Sequence, residues 1–231
     1  MSEPLICCIM PTRDRPVHAI QASWSFTKQR YENSFLIIVD SGKLQTFKEL
    51  MGRAIAVWNP EWNGLSVGSL RNLAVTQAMQ TMDLPKPDYI AHFDDDDVSA
   101  PDRLSHQLAH IRKTGKLVTG YYNMPMYDAK NDKVWIYSDP AKRYILGTSL
   151  FYRREAWERV KFPDRTPEDN LWRKQVGGEN CEPQSVFRDG VPMMVQTVHG
   201  GNASARIVAS SKRFREPSEA EEKAVRELLR A

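Results

Sequence analysis

The sequence has little cysteine and no long apolar run. Its three cysteines, Cys7, Cys8 and Cys181, show no CxxC spacing, so they predict neither a disulfide framework nor a zinc site. We therefore expect a reducing compartment, the cytoplasm. The longest apolar runs, such as residues 5–10, are too short to cross a bilayer, and no secretory signal pattern opens the chain. No membrane insertion is expected.

The chain also lacks a strong charge imbalance. Lys and Arg total 32 against 29 for Asp and Glu, a net charge of +3. This excess is too small to indicate a nucleic-acid partner by itself, and it is compatible with an anionic ligand in a local pocket. The length of 231 residues and the apolar content of 41% predict a single domain with a real core. The oligomeric state is left open.

Short apolar runs alternate with helical patterns in the first half of the chain. Residues 5–10, 35–39 and 89–93 are continuous apolar runs, which are typical of strands buried on both faces. Residues 17–29 and 69–82 have the spacing of helices. This βαβαβ order predicts an α/β fold with a mainly parallel central sheet and helices on both faces.

Four adjacent aspartates follow the third apolar run. In an extended segment, Asp94 and Asp96 would share one face, and Asp95 and Asp97 the other. Carboxylates spaced by two at the end of a buried strand fit Mg²⁺ or Mn²⁺ bound together with phosphate oxygens. The alternative is a solvated acidic loop that caps the next helix.

The pattern after the aspartates predicts a helix, then short strands, then a final helix. Ser99 is placed to cap the first of these helices, and Gly115 to end it. Shorter strands are predicted between residues 117 and 151. Residues 217–230 have an amphipathic helical pattern with acidic residues first and basic residues last, which suits the helix dipole.

Six segments in a fixed order carry a family resemblance. They are IMPTRDRP (9–16), IIVDSG (37–42), GSLRNLA (68–74), FDDDDVSAPDRL (93–104), GTSLFYRREAWERVKFPD (147–164) and PEDN (167–170). Together they resemble the family 2 glycosyltransferases, which have the GT-A fold, over most of the chain. The resemblance implies a single GT-A domain over residues 1–231. Its predicted parts are a nucleotide-sugar half (1–115), an acceptor half (116–210) and a C-terminal helix (211–231).

The resemblance also implies a reaction and a donor site. It implies metal-dependent, inverting transfer of a sugar from a nucleotide-diphosphate donor, with Mn²⁺ or Mg²⁺ as cofactor, to an acceptor hydroxyl. A uracil-type base is favoured through Asp40, although Ser41 stands where the family usually has a second acid. The residues expected to bind the donor are Pro11, Thr12, Arg13, Asp40, Arg71, Asp94 and Asp95. Those expected at the metal are Asp94, Asp96 and His199.

Two of these assignments have structural alternatives. Arg71 is equally compatible with a cation on a helix surface. His199, in VHGGN, is equally compatible with a loop histidine beside a glycine turn.

The catalytic base is predicted in the PEDN segment. The resemblance implies Asp169, next to Glu168, as the group that takes the proton of the acceptor hydroxyl. Glu179, in the segment GGEN, is a rival for this role.

Other functions and acceptors stay open. A sugar nucleotidyltransferase would want a glycine-rich, lysine-bearing phosphate loop, and PTRDRP has no glycine. A non-catalytic carbohydrate-binding module would not need the acid cluster. The acceptor is expected to be a saccharide or a hydroxylated DNA base. Lys212, Arg213 and Arg215 are either a patch for DNA phosphate or a solvated hinge.

Overall fold

The computed structural model describes residues 3–47, 52–81, 84–139, 141–142, 144–199 and 211–231. The strands are β1 (Ile6–Thr12), β2 (Ser34–Asp40), β3 (Ala54–Trp58), β4 (Tyr89–His92), β5 (Asp97–Ser99), β6 (Val118–Tyr121), β7 (Asn123–Asp128), β8 (Lys133–Ser138), β9 (Phe151–Arg153), β10 (Cys181–Gln184), β11 (Phe187–Arg188), β12 (Val191–Pro192), β13 (Met194–Val198) and β14 (Phe214–Arg215). The α-helices are α1 (Pro16–Thr27), α2 (Val67–Gln80), α3 (Arg103–Thr114), α4 (Arg154–Arg159), α5 (Glu168–Val176) and α6 (Glu219–Arg230).

A seven-stranded sheet forms the centre of the molecule, in the order β10-β6-β9-β4-β1-β2-β3. Strand β1 pairs in parallel with β2 and β4, and β2 pairs in parallel with β3. Strand β9 is antiparallel to both of its neighbours, β4 and β6. The predicted α/β fold with a mainly parallel central sheet is therefore confirmed.

Helices cover both faces of this sheet, as predicted. Alternate residues of β1 enter different cores, so Cys7 packs with α2, α4 and α5, and Cys8 packs with α1 and α3. Trp172 of α5 is fully buried in the first core, and Phe26 of α1 is fully buried in the second. Burial on both faces explains why the strand sequences are continuously apolar.

A second, five-stranded sheet, in the order β14-β8-β7-β13-β5, adjoins the site. Its strand β5 begins with Asp97, so the acidic segment joins the two sheets. The predicted C-terminal helix is present as α6, which starts with a Ser218–Glu221 capping box and buries Val225 against this sheet. The division into a donor half and an acceptor half stays a prediction.

The start of α3 differs from the prediction, whereas its end agrees with it. Ser99 does not start a helix: its backbone pairs with Met194 in the sheet, so α3 begins at Arg103. Gly115 does end α3, in the left-handed region with φ of +69°. Met82, the predicted end of the second helix, lies outside the described residues. None of the helices in the described ranges is long and apolar enough to cross a membrane.

Candidate active site

The carboxyl ends of three neighbouring parallel strands bring the predicted donor residues to one edge of the central sheet. Thr12 ends β1, Asp40 ends β2, and the four aspartates follow β4. This edge is where ligands bind in open α/β sheets. The segments that the sequence singled out are therefore neighbours in space.

The acidic segment is not extended throughout, which corrects the predicted sharing of faces. A turn at Asp95 and Asp96 lets both carboxylates bind the guanidinium of Arg15, at 2.8 and 2.7 Å. Thr12 Oγ1 also donates to Asp95 Oδ2 at 2.7 Å. Burial raises the pKa of Asp95 to about 7, against the lowering effect of Arg15. Asp95 is thus held inside the protein beside the end of β1.

Asp96 and His199, two of the three predicted metal residues, are brought together. His199 Nε2 lies 3.3 Å from Asp96 Oδ2, and its ring stacks on His18 with centroids 4.3 Å apart. Within the described part of the chain, no group of three or more His, Cys, Asp or Glu side chains is arranged to hold a metal ion. One carboxylate and one imidazole fit Mn²⁺ or Mg²⁺ if phosphate oxygens and water supply the other ligands.

Asp94 faces a different partner, the buried side chain of Arg71. Arg71 Nη2 lies 3.2 Å from Asp94 Oδ1, and Nη1 lies 2.5 Å from Glu168 Oε1. Burial lowers the pKa of Arg71, but Asp94 and Glu168 outweigh this, so its pKa lies above the ordinary range. Because the Arg71 side chain is only 4% exposed, it is not a helix-surface cation. It joins the acidic segment to the acid pair on α5.

Asp97 is buried and fixes the turn that leads into β9. Its carboxylate accepts hydrogen bonds from Thr148 Oγ1 and, at 3.2 Å, from the backbone N–H of Thr197. Burial raises the pKa of Asp97 well above its usual range, with Asp96 and Asp94 adding to the effect. Asp97 therefore ties the acidic segment to residues 147–149 and to β13.

Asp169 borders a cavity of about 550 Å³ whose walls are partly aromatic. The hydroxyl of Tyr144 lies 3.5 Å from Asp169 Oδ2, and burial together with Asp169 raises the pKa of Tyr144. Asp169 packs directly on Gly147, where any side-chain carbon would overlap the carboxylate. The sequence analysis missed Tyr144 and Gly147 as site residues, although Gly147 opens one of the six segments.

Glu179, the rival base, lies elsewhere. It is exposed in a short 3-10 turn, Gly178–Asn180, where its carbonyl accepts from Lys116 Nζ at 2.7 Å. It is not among the described residues that line the cavity beside Asp169. The geometry therefore favours Asp169 over Glu179 as the predicted base.

Asp40 and Arg13 organise the loop after β2. Asp40 accepts from the backbone N–H groups of Gly42 at 2.9 Å and Thr46 at 2.8 Å, and it is 1% exposed. Arg13 donates to Ser41 Oγ at 3.1 Å and to a carbonyl before α2. Pro11 pairs with β2 beside this loop. Contact of these residues with a nucleotide stays a prediction.

The three basic residues near the C-terminus do not form one patch. Arg215 is paired with Glu221 at 2.6 Å. Arg213 lines the cavity beside Asp169, whereas Lys212 is exposed and does not. Arg213 thus belongs to the cavity, a placement that no local sequence pattern predicts.

Comparisons with known proteins agree with the fold. The family model described as glycosyl transferase family 2 matches residues 7–179. A protein of Escherichia coli strain K12, WcaA, named for colanic acid biosynthesis and glycosyl transfer, is 32% identical over 161 residues, which are 68% of this chain and 54% of that protein. An uncharacterized glycosyltransferase of Haemophilus influenzae is 25% identical over 185 residues, 73% of this chain and 70% of that protein.

Solved structures support the same fold. The S. aureus protein TarS, residues 1–349 in complex with UDP-GlcNAc, superposes with a TM-score of 0.65 at 17% identity, covering 88% of this chain and 62% of that one. The mannosyltransferase PcManGT of Pyrobaculum calidifontis, in complex with GDP-Man and Mn²⁺, gives a TM-score of 0.56 at 15% identity, covering 82% and 59%.

The chain belongs to glycosyl transferase family 2. The family and the enzyme class predicted from the sequence are confirmed, as is the GT-A-like fold. The chain spans about half the length of the E. coli relative.

Proposed function

We propose that this chain transfers a sugar from a nucleotide-diphosphate donor to an acceptor hydroxyl, with inversion at the anomeric carbon. The donor would lie over the carboxyl ends of β1, β2 and β4, where Thr12, Arg13 and Asp40 shape one loop and Asp95 lies beside it. A UDP-sugar is favoured through Asp40. Among proteins of similar fold, TarS was solved with UDP-GlcNAc and PcManGT with GDP-Man, so the fold accommodates either nucleotide.

A divalent cation, Mn²⁺ or Mg²⁺, is part of this proposal. Asp96 and His199, 3.3 Å apart, would hold it together with the diphosphate oxygens. When bound, such a cation offsets the charge that develops on the leaving diphosphate. PcManGT, which shares the fold, was solved with Mn²⁺.

The acceptor side of the reaction is assigned to Asp169. Its carboxylate borders the cavity and would accept the proton of the acceptor hydroxyl as that oxygen attacks the sugar. Glu168 is committed to Arg71 and therefore holds the start of α5 in place rather than taking a proton. The hydroxyl of Tyr144, 3.5 Å from Asp169 Oδ2, would restrict the orientation of that carboxylate.

One observation carries the proposal: Arg71 joins Asp94 to Glu168, next to Asp169. Its two ion pairs use different nitrogen atoms of one buried guanidinium, one for Asp94 and the other for Glu168, the neighbour of the predicted base. A displacement reaction needs this arrangement, because the attacking hydroxyl and the leaving group lie on opposite faces of the sugar.

A donor panel tests the proposal. UDP- and GDP-sugars are incubated with the protein and Mn²⁺, and the release of nucleotide diphosphate is measured with and without chelator. We expect release from at least one donor, abolished by the chelator. Failure of every donor both to bind and to release nucleotide would contradict the proposed function.

A saccharide acceptor is favoured over a hydroxylated DNA base. The cavity is lined by Tyr137, Tyr144 and Phe214, and the basic residues that would bind DNA phosphate do not form one patch. Salt-sensitive binding of duplex DNA, weakened when Lys212 and Arg215 are neutralised, would support the DNA alternative instead.

A further inference from the structure

The cavity beside Asp169 contains an arginine that the proposed reaction does not use. Arg213 lies on the wall formed by β8 and β14, where the rings of Tyr137 and Phe214 meet edge to face with centroids 5.5 Å apart. Tyr144 and Asp169 also line this cavity. A group that reaches Asp169 through this cavity therefore passes between aromatic rings and this guanidinium.

The other charged groups of the cavity have charged or backbone partners. Arg71 is shared between Asp94 and Glu168, and Asp139 accepts from the backbone N–H of Tyr144 at 2.9 Å. The side chain of Arg213 instead lies near the hydroxyl of Tyr137: burial raises the pKa of Tyr137, and Arg213 opposes that rise.

The neighbouring Arg215 differs from Arg213 because it has a carboxylate partner. It is neutralised by Glu221 at 2.6 Å, whereas no carboxylate in the described ranges lies within 4.0 Å of Arg213. A guanidinium has five N–H donors in a planar fork, so a neutral hydroxyl beside it leaves most of them available. Carboxylate and phosphate groups match this fork in shape and in charge.

We propose that the acceptor is a glycan that bears an anionic group, a carboxylate or a phosphate, and that Arg213 binds this group. This proposal rests on the proposed function, since it names the substrate class of the same site. Arg213 then determines acceptor specificity: the sugar ring lies against the tyrosines, and the bound anion sets which hydroxyl faces Asp169.

A competing role for Arg213 is contact with the donor diphosphate. Arg213 shares its cavity with Asp169 and Tyr144, but also with Arg71 and Asp94, whereas neither Asp96 nor His199 is among the described lining residues. The two roles differ in what a charge-removing substitution weakens, which is acceptor binding in one case and nucleotide binding in the other.

The test uses three probes that differ only at C6: methyl glucoside, methyl glucuronide and methyl glucoside 6-phosphate. Binding is measured by calorimetry or ligand-observed NMR on the full chain saturated with UDP and Mn²⁺, so that the probes do not occupy the diphosphate site. We expect at least one charged probe to bind the parent roughly tenfold or more tightly than the neutral probe, as a charge-assisted hydrogen bond predicts. The carboxylate and phosphate arms show which anion is preferred.

Arg213→Gln is the test variant, and Lys212→Gln is the matched control, because it removes one exposed cation at the adjacent position outside the cavity lining. Arg213→Gln should abolish the preference for charged probes and leave UDP affinity unchanged, whereas Lys212→Gln should keep both. The proposal is overturned if the parent binds neither charged probe more tightly, if the preference survives in Arg213→Gln, or if that variant loses UDP affinity instead. Each of these results is compatible with glycosyl transfer, so the proposed function is judged separately by the donor panel.

Discussion

Arg71 allows the sharpest test of the site, because its removal leaves two carboxylates inside the protein without their cation. In Arg71→Met the side-chain stem is kept, but Asp94 and Glu168 lose their shared cation. Their side chains are 27% and 13% exposed, so water replaces the guanidinium only in part. Removing one partner of a buried ion pair costs about 3–5 kcal/mol. We expect about 3 kcal/mol here, because Asp94 is partly hydrated.

The loss should depend on pH, with a sign that the structure fixes. Burial already raises the pKa of Glu168 above its ordinary 4.5, and Arg71 opposes that rise. Without Arg71 the pKa of Glu168 rises further. A carboxyl whose folded pKa exceeds its unfolded pKa loses stability as pH rises between the two values. The penalty of Arg71→Met should therefore be small at about pH 5 and largest at about pH 8.

Urea unfolding, followed by tryptophan fluorescence, measures the loss in free energy of unfolding at each pH. The loss is calculated from the shift in the urea midpoint, provided that the m-value is unchanged. Arg154→Met is the matched control, because Arg154 forms only a surface pair with Glu158, at 3.1 Å. It should change the free energy of unfolding by about 0.5 kcal/mol or less at both pH values. Adding Glu168→Gln to Arg71→Met should restore part of the loss at the higher pH. A penalty for Arg71→Met below about 1 kcal/mol, or one that does not grow with pH, would refute the reasoning.

Three further predictions concern the reaction. Asp96→Ala should abolish Mn²⁺-dependent binding of UDP, measured by calorimetry, with a normal unfolding midpoint, and unchanged binding would remove Asp96 from the metal site. Asp169→Asn should lower kcat by roughly a hundredfold or more at unchanged UDP affinity, whereas Glu179→Gln should turn over normally, and the reverse result would assign the base to Glu179. Gly147→Ala should also lower kcat without weakening UDP, because the added carbon overlaps Asp169. Parent-level turnover of Gly147→Ala would show that Asp169 need not stay where it is.

The strand ends of the donor side were predictable because their signals are local. A short apolar run closed by polar residues identifies both a buried strand and its carboxyl end, and this holds for β1, β2 and β4. Parallel pairing then places those ends at one edge. The start of α3 was mispredicted because Ser99 has the chemistry of a cap but is held in β5 by pairing with Met194. Tertiary pairing overrode a local preference there.

The partners within the site were not predictable from sequence alone. Arg71 and Glu168 are 97 positions apart, and no local pattern states which face of α2 meets the start of α5. Arg213 likewise reads as part of a basic run, and only the pairing of β14 with β8 brings it beside Tyr137. Such contacts depend on how separate elements pack, which spacing along the chain does not encode.

The acidic segment shows how four adjacent carboxylates coexist. Their charges are divided among separate partners rather than shared by one. Asp97 accepts from Thr148 Oγ1 and from the backbone N–H of Thr197, and burial raises its pKa. Asp95 and Asp96 share Arg15.

The balance between the carboxylates and the guanidinium groups of the site indicates where the proposed cation would bind. Asp94 and Glu168 together carry two negative charges against the one positive charge of Arg71. Arg15 likewise has two aspartates for one guanidinium, although Asp95, with a pKa of about 7, is only partly ionised at neutral pH. Around both guanidinium groups the carboxylates are in excess, so the site keeps a net negative charge, which a divalent ion would offset. Of the acids involved, Asp96 also has an imidazole neighbour, His199, 3.3 Å away. The charge balance and the ligand chemistry therefore support the same position for Mn²⁺ or Mg²⁺, beside Asp96.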